Sequence, residues 1–78
     1  MIYVVKEFDD FGGTDQDGYY HQLVAVDLLR SPELAKKHAK AIENGFARSA
    51  TIVEFDGEIS DGKITISTED FIRIMETN

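Results

Sequence analysis

A chain of 78 residues is one domain, because at this length folding buries only a little over ~60% of the unfolded surface and cannot support two cores. Its 42% hydrophobic content, with five Phe and three Tyr, excludes a disordered polar chain, and the absence of cysteine excludes a disulfide framework, a thiolate metal site and a thiol nucleophile. Fifteen acidic against eight basic residues give a net charge of −7, which argues against gripping nucleic acid by its phosphates and leaves a basic partner, or a charge kept for solubility.

The first segment, Ile2 to Phe8, is β-branched and aromatic and reads as a strand. The opening MIYVVK has neither the basic start nor the long apolar run of a secretory signal, and no apolar stretch approaches the ~18 residues of a membrane helix. The expectation is a soluble, cytoplasmic protein. Tyr19 to Leu29 alternates, with Tyr20, Val24, Val26 and Leu28 on one face and His21, Leu23, Ala25 and Asp27 on the other. Between these strands lies DDFGGTDQDG, a stretch too long for a tight turn and long enough for a functional loop.

Ser31-Pro32-Glu33 is a helix start: a serine cap, a proline where its missing N–H costs nothing, and an acid beside the positive end of the dipole. Asn44-Gly45 is the stop. The spacing puts Leu34, Ala35, His38, Ala39 and Ile42 on one face, and Glu33, Lys36, Lys37, Lys40 and Glu43 on the other. Ser49 to Asp56 is a third strand and Lys63 to Ser67 a fourth, joined as a hairpin by a loop of moderate length carrying the Asp56-Gly57 and Asp61-Gly62 turn signals. Thr68-Glu69-Asp70 caps a short C-terminal helix with Phe71, Ile72, Ile74 and Met75 at helical spacing, strand continuation being the alternative. The fold expected is α+β: one domain over residues 1–78, an antiparallel sheet of about four strands (ββαββ) packed against one central helix, with both helices on one face.

The aspartate loop does not fit an EF-hand. With Gly18 at position 6, Asp15 and Asp17 fall at 3 and 5, but Gly13 and Val24 occupy the terminal ligand positions 1 and 12. Registers built on Gly57 or Gly62 fail at both ends as well. Gly12-Gly13 lacks the GKS or GKT ending and the following helix of a phosphate cradle, and the aspartates around it repel phosphate. His21 and His38 have no partner at metal-ligand spacing, and no strand-to-helix elbow presents a serine nucleophile. The expectation is therefore no catalytic residue, no metal and no cofactor.

Charge is divided unevenly along the chain. Residues 1–29 carry −5, residues 30–48 carry +3 and residues 49–78 carry −5, so the central helix is the basic segment. Glu54, Asp56 and Glu58 recur every second residue, and on one continuous strand they would project about 6 to 7 Å apart. Such a row imitates a stretch of phosphates, which lie ~3.4 Å apart along the axis of a DNA strand and farther apart along the winding backbone. The plainer reading is a solvent-facing strand edge kept charged against edge-to-edge pairing. Asp61 and the loop residues Asp9, Asp10, Asp15 and Asp17 extend the acidic surface, and Tyr19 and Tyr20, with Phe11, offer aromatic anchors beside it.

In MIYVVKEF, AVDLLRSPELAKKHAKAIENG and ATIVEFDGEISDG the chain resembles the small, acidic, cysteine-free anti-CRISPR proteins that phages encode. The resemblance is one of size, charge and plan. It implies a non-enzymatic inhibitor in the host bacterial cytoplasm, which binds a basic nucleic-acid-binding protein, such as a Cascade subunit of a type I CRISPR surveillance complex, and keeps target DNA off it. The alternative is an acidic accessory or immunity-type module, a monomer or weak homodimer joined through a sheet edge. Neither reading involves direct nucleic-acid or membrane binding.

Overall fold

Strand β1 (Ile2–Gly12) is the centre of the molecule: Ile2, Val4, Val5, Lys6 and Phe8 are all buried, so consecutive residues are covered rather than alternate ones. A strand is buried in this way only when both of its faces are packed. The computed structural model describes residues 1–12 and 19–76, with side-chain surroundings for 1–10 and 22–76. After β1 come β2 (Tyr19–Leu29), α1 (Pro32–Glu43), β3 (Arg48–Phe55), β4 (Gly57–Ser60), β5 (Lys63–Ile66) and α2 (Thr68–Met75). The class is α+β, with every strand pair antiparallel among the described residues.

The strands divide differently from the sequence expectation. Among the described residues five strands form two sheets, one in the order β2-β1-β3 and a separate β4-β5 hairpin. The expected partner of the 63–67 strand was Ser49 to Asp56, but that strand pairs with β1 instead, Val4 opposite Val53 and Glu7 opposite Ala50. The reason lies in the second turn signal. Asp61 and Gly62 both have positive φ, 50° and 75°, the backbone of a two-residue type I′ turn that matches strand twist. The turn therefore closes directly on Ser60 and Lys63, making residues 57–60 a strand where a loop was expected.

The helices also sit on opposite faces of the three-stranded sheet, where one shared face was expected. Successive side chains of a strand point to opposite sides. On one side Ile2 and Val4 join Phe55 and Ile74 of α2, with Val26, Leu28, Val53, Ile59 and Ile66 packed around them. On the other, Val5 joins Ala35, Ala39 and Ile42 of α1, flanked by Tyr3, Leu29 and Ala50. Ile74 is the buried side chain of α2, and burying an aliphatic side chain of this kind contributes about 1.5–3 kcal/mol. Leu34 and His38 fall outside the α1 core stripe: Leu34 is exposed and His38 is half-buried at its margin.

Alternation along β2 is broken once. Ala25 lies opposite Glu7 and Leu23 opposite Phe8, which leaves Val24 without a partner, a β-bulge. Leu23 thereby moves to the Phe8 face, the same side as Val26 and Leu28, whereas a strict period of two had set it with Ala25 and Asp27.

Helix α1 begins as its sequence dictates. Ser31 Oγ accepts from the Leu34 N–H at 3.3 Å and donates to Glu33 Oε2 at 2.9 Å. That hydrogen bond, ahead of the Lys36 charge, holds the Glu33 carboxyl below its ordinary range. A carboxyl depressed in the folded state contributes stability above its unfolded pKa, and loses it as pH falls through the folded pKa. Glu33→Gln is accordingly expected to flatten the acid limb of a stability-against-pH curve without altering the neutral plateau's shape. An unchanged acid limb in urea titrations at successive pH values would remove Glu33 from the cap. At the other end Asn44 is the C-cap and donates to Lys40 O at 3.1 Å. Gly45 serves for close approach, since a Cβ there would lie 3.2 Å from Ile42 O. The left-handed residue is Ala47, at φ 55°, whose carbonyl accepts from the Asp10 N–H at 2.8 Å.

Candidate functional site

The exposed carboxylates follow one another from the end of β3 through the hairpin. Glu54, opposite Tyr3, projects on the α1 side of the sheet, and Asp56 occupies the bend between β3 and β4. Glu58 lies opposite Thr65 on the outer face of the hairpin, because its neighbour Ile59 turns inward to the core. Asp61 is the first residue of the I′ turn. All four are exposed, and none has an ion-pair partner among the described residues.

This geometry corrects the straight row. The strand does not continue through Glu58, because the chain bends at Asp56 and enters a second sheet. Glu54 and Glu58 therefore belong to different surfaces joined at Asp56. Asp56 and Glu58 instead border an open cleft of about 510 Å³ with Met1, Thr65 and Ser67. Ionised carboxylates only accept hydrogen bonds, so the cleft suits an ammonium or guanidinium donor.

No family model, characterised protein or solved structure matches this chain.

Several other acidic residues are engaged within the fold. Arg48 lies opposite Asp9 across the β1–β3 pair, with Nε 3.2 Å from Asp9 Oδ1 and Nη1 3.2 Å from Glu7 Oε2. Asp9, expected at the partner surface, is thus already paired with a cation. Asp10 also has an interaction within the fold. Asp15 and Asp17 lie outside the described residues, and so do the side chains of Tyr19 and Tyr20, whose backbones pair with Gly12 and Phe11. Asp70 accepts from Arg73 at 2.8 Å, and the Arg73 guanidinium sits 5.0 Å from the centre of the Phe55 ring. Asp27 Oδ2 lies 2.7 Å from His38 Nε2, tying α1 to β2. Among the described residues no three acids or histidines converge on a metal-sized site, and no helix is long and apolar enough to cross a membrane.

Sequence reasoning passed over Lys6. It is 2% exposed, and its Nζ donates to Glu76 O at 2.8 Å and Arg73 O at 3.3 Å, carbonyls of the C-cap and the last turn of α2. A cation at a helix C-terminus meets the negative end of the dipole and supplies a donor to carbonyls that have none within the helix. The signal was a lone cation alternating with the apolar Ile2, Val4 and Phe8 on one face of the strand.

Proposed function

We propose that this protein is a non-enzymatic inhibitor of the anti-CRISPR kind, which presents an acidic face to a basic DNA-binding surface, such as a Cascade subunit of a type I surveillance complex. One observation carries the reading: Glu54, Asp56, Glu58 and Asp61 are exposed and unpaired among the described residues, whereas Glu7, Asp9 and Asp70 are held by arginines. Four unpaired carboxylates thus fall within the eight residues 54–61. Because the chain bends at Asp56, these carboxylates approach a groove from two sides rather than as one comb, and the Asp56–Glu58 cleft receives an arginine or lysine side chain of the partner. Lys36, Lys37 and Lys40 are exposed on the cationic side of α1 and take no part in this contact.

The test is competition between this protein and labelled target duplex for purified type I surveillance complex. The wild type is expected to displace DNA, with an apparent affinity that falls steeply between low and high salt. The triple variant Glu54→Lys, Asp56→Lys, Glu58→Lys is expected to retain its circular dichroism spectrum and lose at least tenfold in potency. Wild-type potency in the folded triple variant removes these residues from the site. Failure of the wild type to compete removes the inhibitor reading.

A further inference from the structure

The inner face of the same hairpin faces an apolar groove. Val26 and Leu28 of β2, Ile64 and Ile66 of β5, and Phe71 and Met75 of α2 surround a cavity of about 190 Å³. That volume lies below the ~300–1,000 Å³ of small-molecule sites, and it suits one or two side chains of another protein. Ile64, Phe71 and Met75 remain 48%, 55% and 52% exposed, so the groove is open and its lining apolar. Alternation within β5 directs Ile64 and Ile66 inward, while Lys63 shares the outer face with Glu58.

The groove runs beside a free sheet edge. β2 pairs with β1 on one side, and no described strand pairs with its other side. Over 11 residues β2 carries one acidic or basic charge, Asp27, which His38 engages. Edges of soluble proteins are ordinarily guarded by charge, as the opposite edge β3 is by Arg48 and Glu54. An unguarded edge beside a side-chain groove is the arrangement used for strand addition, in which backbone pairing gives affinity and alternate side chains fill pockets.

Charge selects the occupant. A second copy would bring −7 against −7, and a nucleic acid would meet the same repulsion. Glu69 and Glu76 fall at helical spacing with exposed Ile72 on the outer side of α2, and neither has an ion-pair partner among the described residues. The helix that walls the groove therefore carries acidic charge on its outer side. We propose that an extended segment of a partner protein, with apolar residues at alternate positions and lysine or arginine between them, adds to β2 and sets its apolar side chains between β2, β5 and α2. The groove lies beside the Ala25–Leu29 end of β2, beyond the bulge at Val24, and the addition falls there. This site is separate from the 54–61 carboxylates and does not depend on the inhibitor reading.

The experiment is a titration of the isotopically labelled full chain with synthetic heptapeptides, Val, Ile, Leu or Phe at three alternate positions and Lys or Arg at the other four, followed by amide chemical shifts. Saturable shifts are expected in residues 25–29, 64–66 and 71–76, with slowed amide exchange along β2. Met75→Lys, a change at an exposed position, is expected to keep the melting temperature and weaken binding at least tenfold. The proposal is overturned if no peptide of the panel saturates, if the shifts map to α1 or β3, or if glutamate-substituted peptides bind equally well. It is overturned as well if sedimentation finds the free protein dimeric and β2 amides protected in that dimer, since a second copy then holds the edge.

Discussion

Lys6→Glu is expected to remove a large share of the stability of the fold. The side chain at this position is 2% exposed, and its ammonium donates to Glu76 O and Arg73 O. A carboxylate there would face two acceptors and the negative end of the α2 dipole with no donor among them. An uncompensated buried charge costs ~3–5 kcal/mol, against a total of about 4–12 kcal/mol for a chain of this size at ~0.05–0.15 kcal/mol per residue. Lys6→Met separates charge from packing, because it keeps an apolar side chain of similar length. It leaves two carbonyls without a donor, which costs about 1–3 kcal/mol, and it relieves the desolvation of the ammonium, so its net loss is the smaller of the two. Thermal unfolding checks both variants, and amide exchange in Ile74 and Met75 should accelerate in Lys6→Met as α2 frays. Wild-type melting of Lys6→Glu would mean that Lys6 does not hold α2.

Gly57→Ala is expected to cost ~2–3 kcal/mol, toward the upper end for overpacking in a closed site. A Cβ at this position would lie 2.5 Å from Thr65 O and 2.9 Å from Ile2 Cδ1. The first of these is backbone in the paired strand β5, so it can yield only by opening the β4–β5 ladder. Gly62→Ala is the control: a Cβ there meets nothing within 4 Å, but φ is +75°, so its cost is conformational and about 1–2 kcal/mol. Urea unfolding of the two variants distinguishes close approach from backbone strain. If Gly57→Ala is as stable as the wild type, the hairpin does not rest on Ile2. Both proposed binding surfaces use this hairpin, one on each face, so its anchoring bears on function as well as stability.

Local chemistry made much of the fold legible. The α1 cap needed only Ser31, Pro32 and Glu33, and the α2 cap only Ser67 and its neighbours, with Ser67 Oγ accepting from Asp70 N–H at 3.1 Å. The cap of α2 falls one residue earlier than Thr68, and Thr68 is the first helical residue. The two sheets were not legible, because a DG pair signals a turn without saying which flanking residues it pairs. The charge of the candidate site was legible as composition, but its shape was not. Glu54, Asp56 and Glu58 have the period of a strand, and only the bend at Asp56 decides that they occupy two surfaces. Asp9 looked equally available until register placed Arg48 across from it.

By itself the sequence determined the α+β class, the α1 start and, to within one residue, the α2 start, the β2 and (to within one residue) β3 strands and the acidic excess, all of which depend on residues within a few positions of one another. β1 was read only as far as Phe8, whereas it pairs on through Asp9 to Gly12, residues expected in the loop. Tertiary structure alone decided which strands pair, that α1 and α2 cover opposite faces of β1, that Lys6 closes α2 from 67 and 70 residues away, and that β2 is left with an open edge beside an apolar groove. Those features depend on long-range register. A one-residue shift in pairing exchanges the two faces of a strand, and no local pattern in a strand buried on both sides states which face meets which helix.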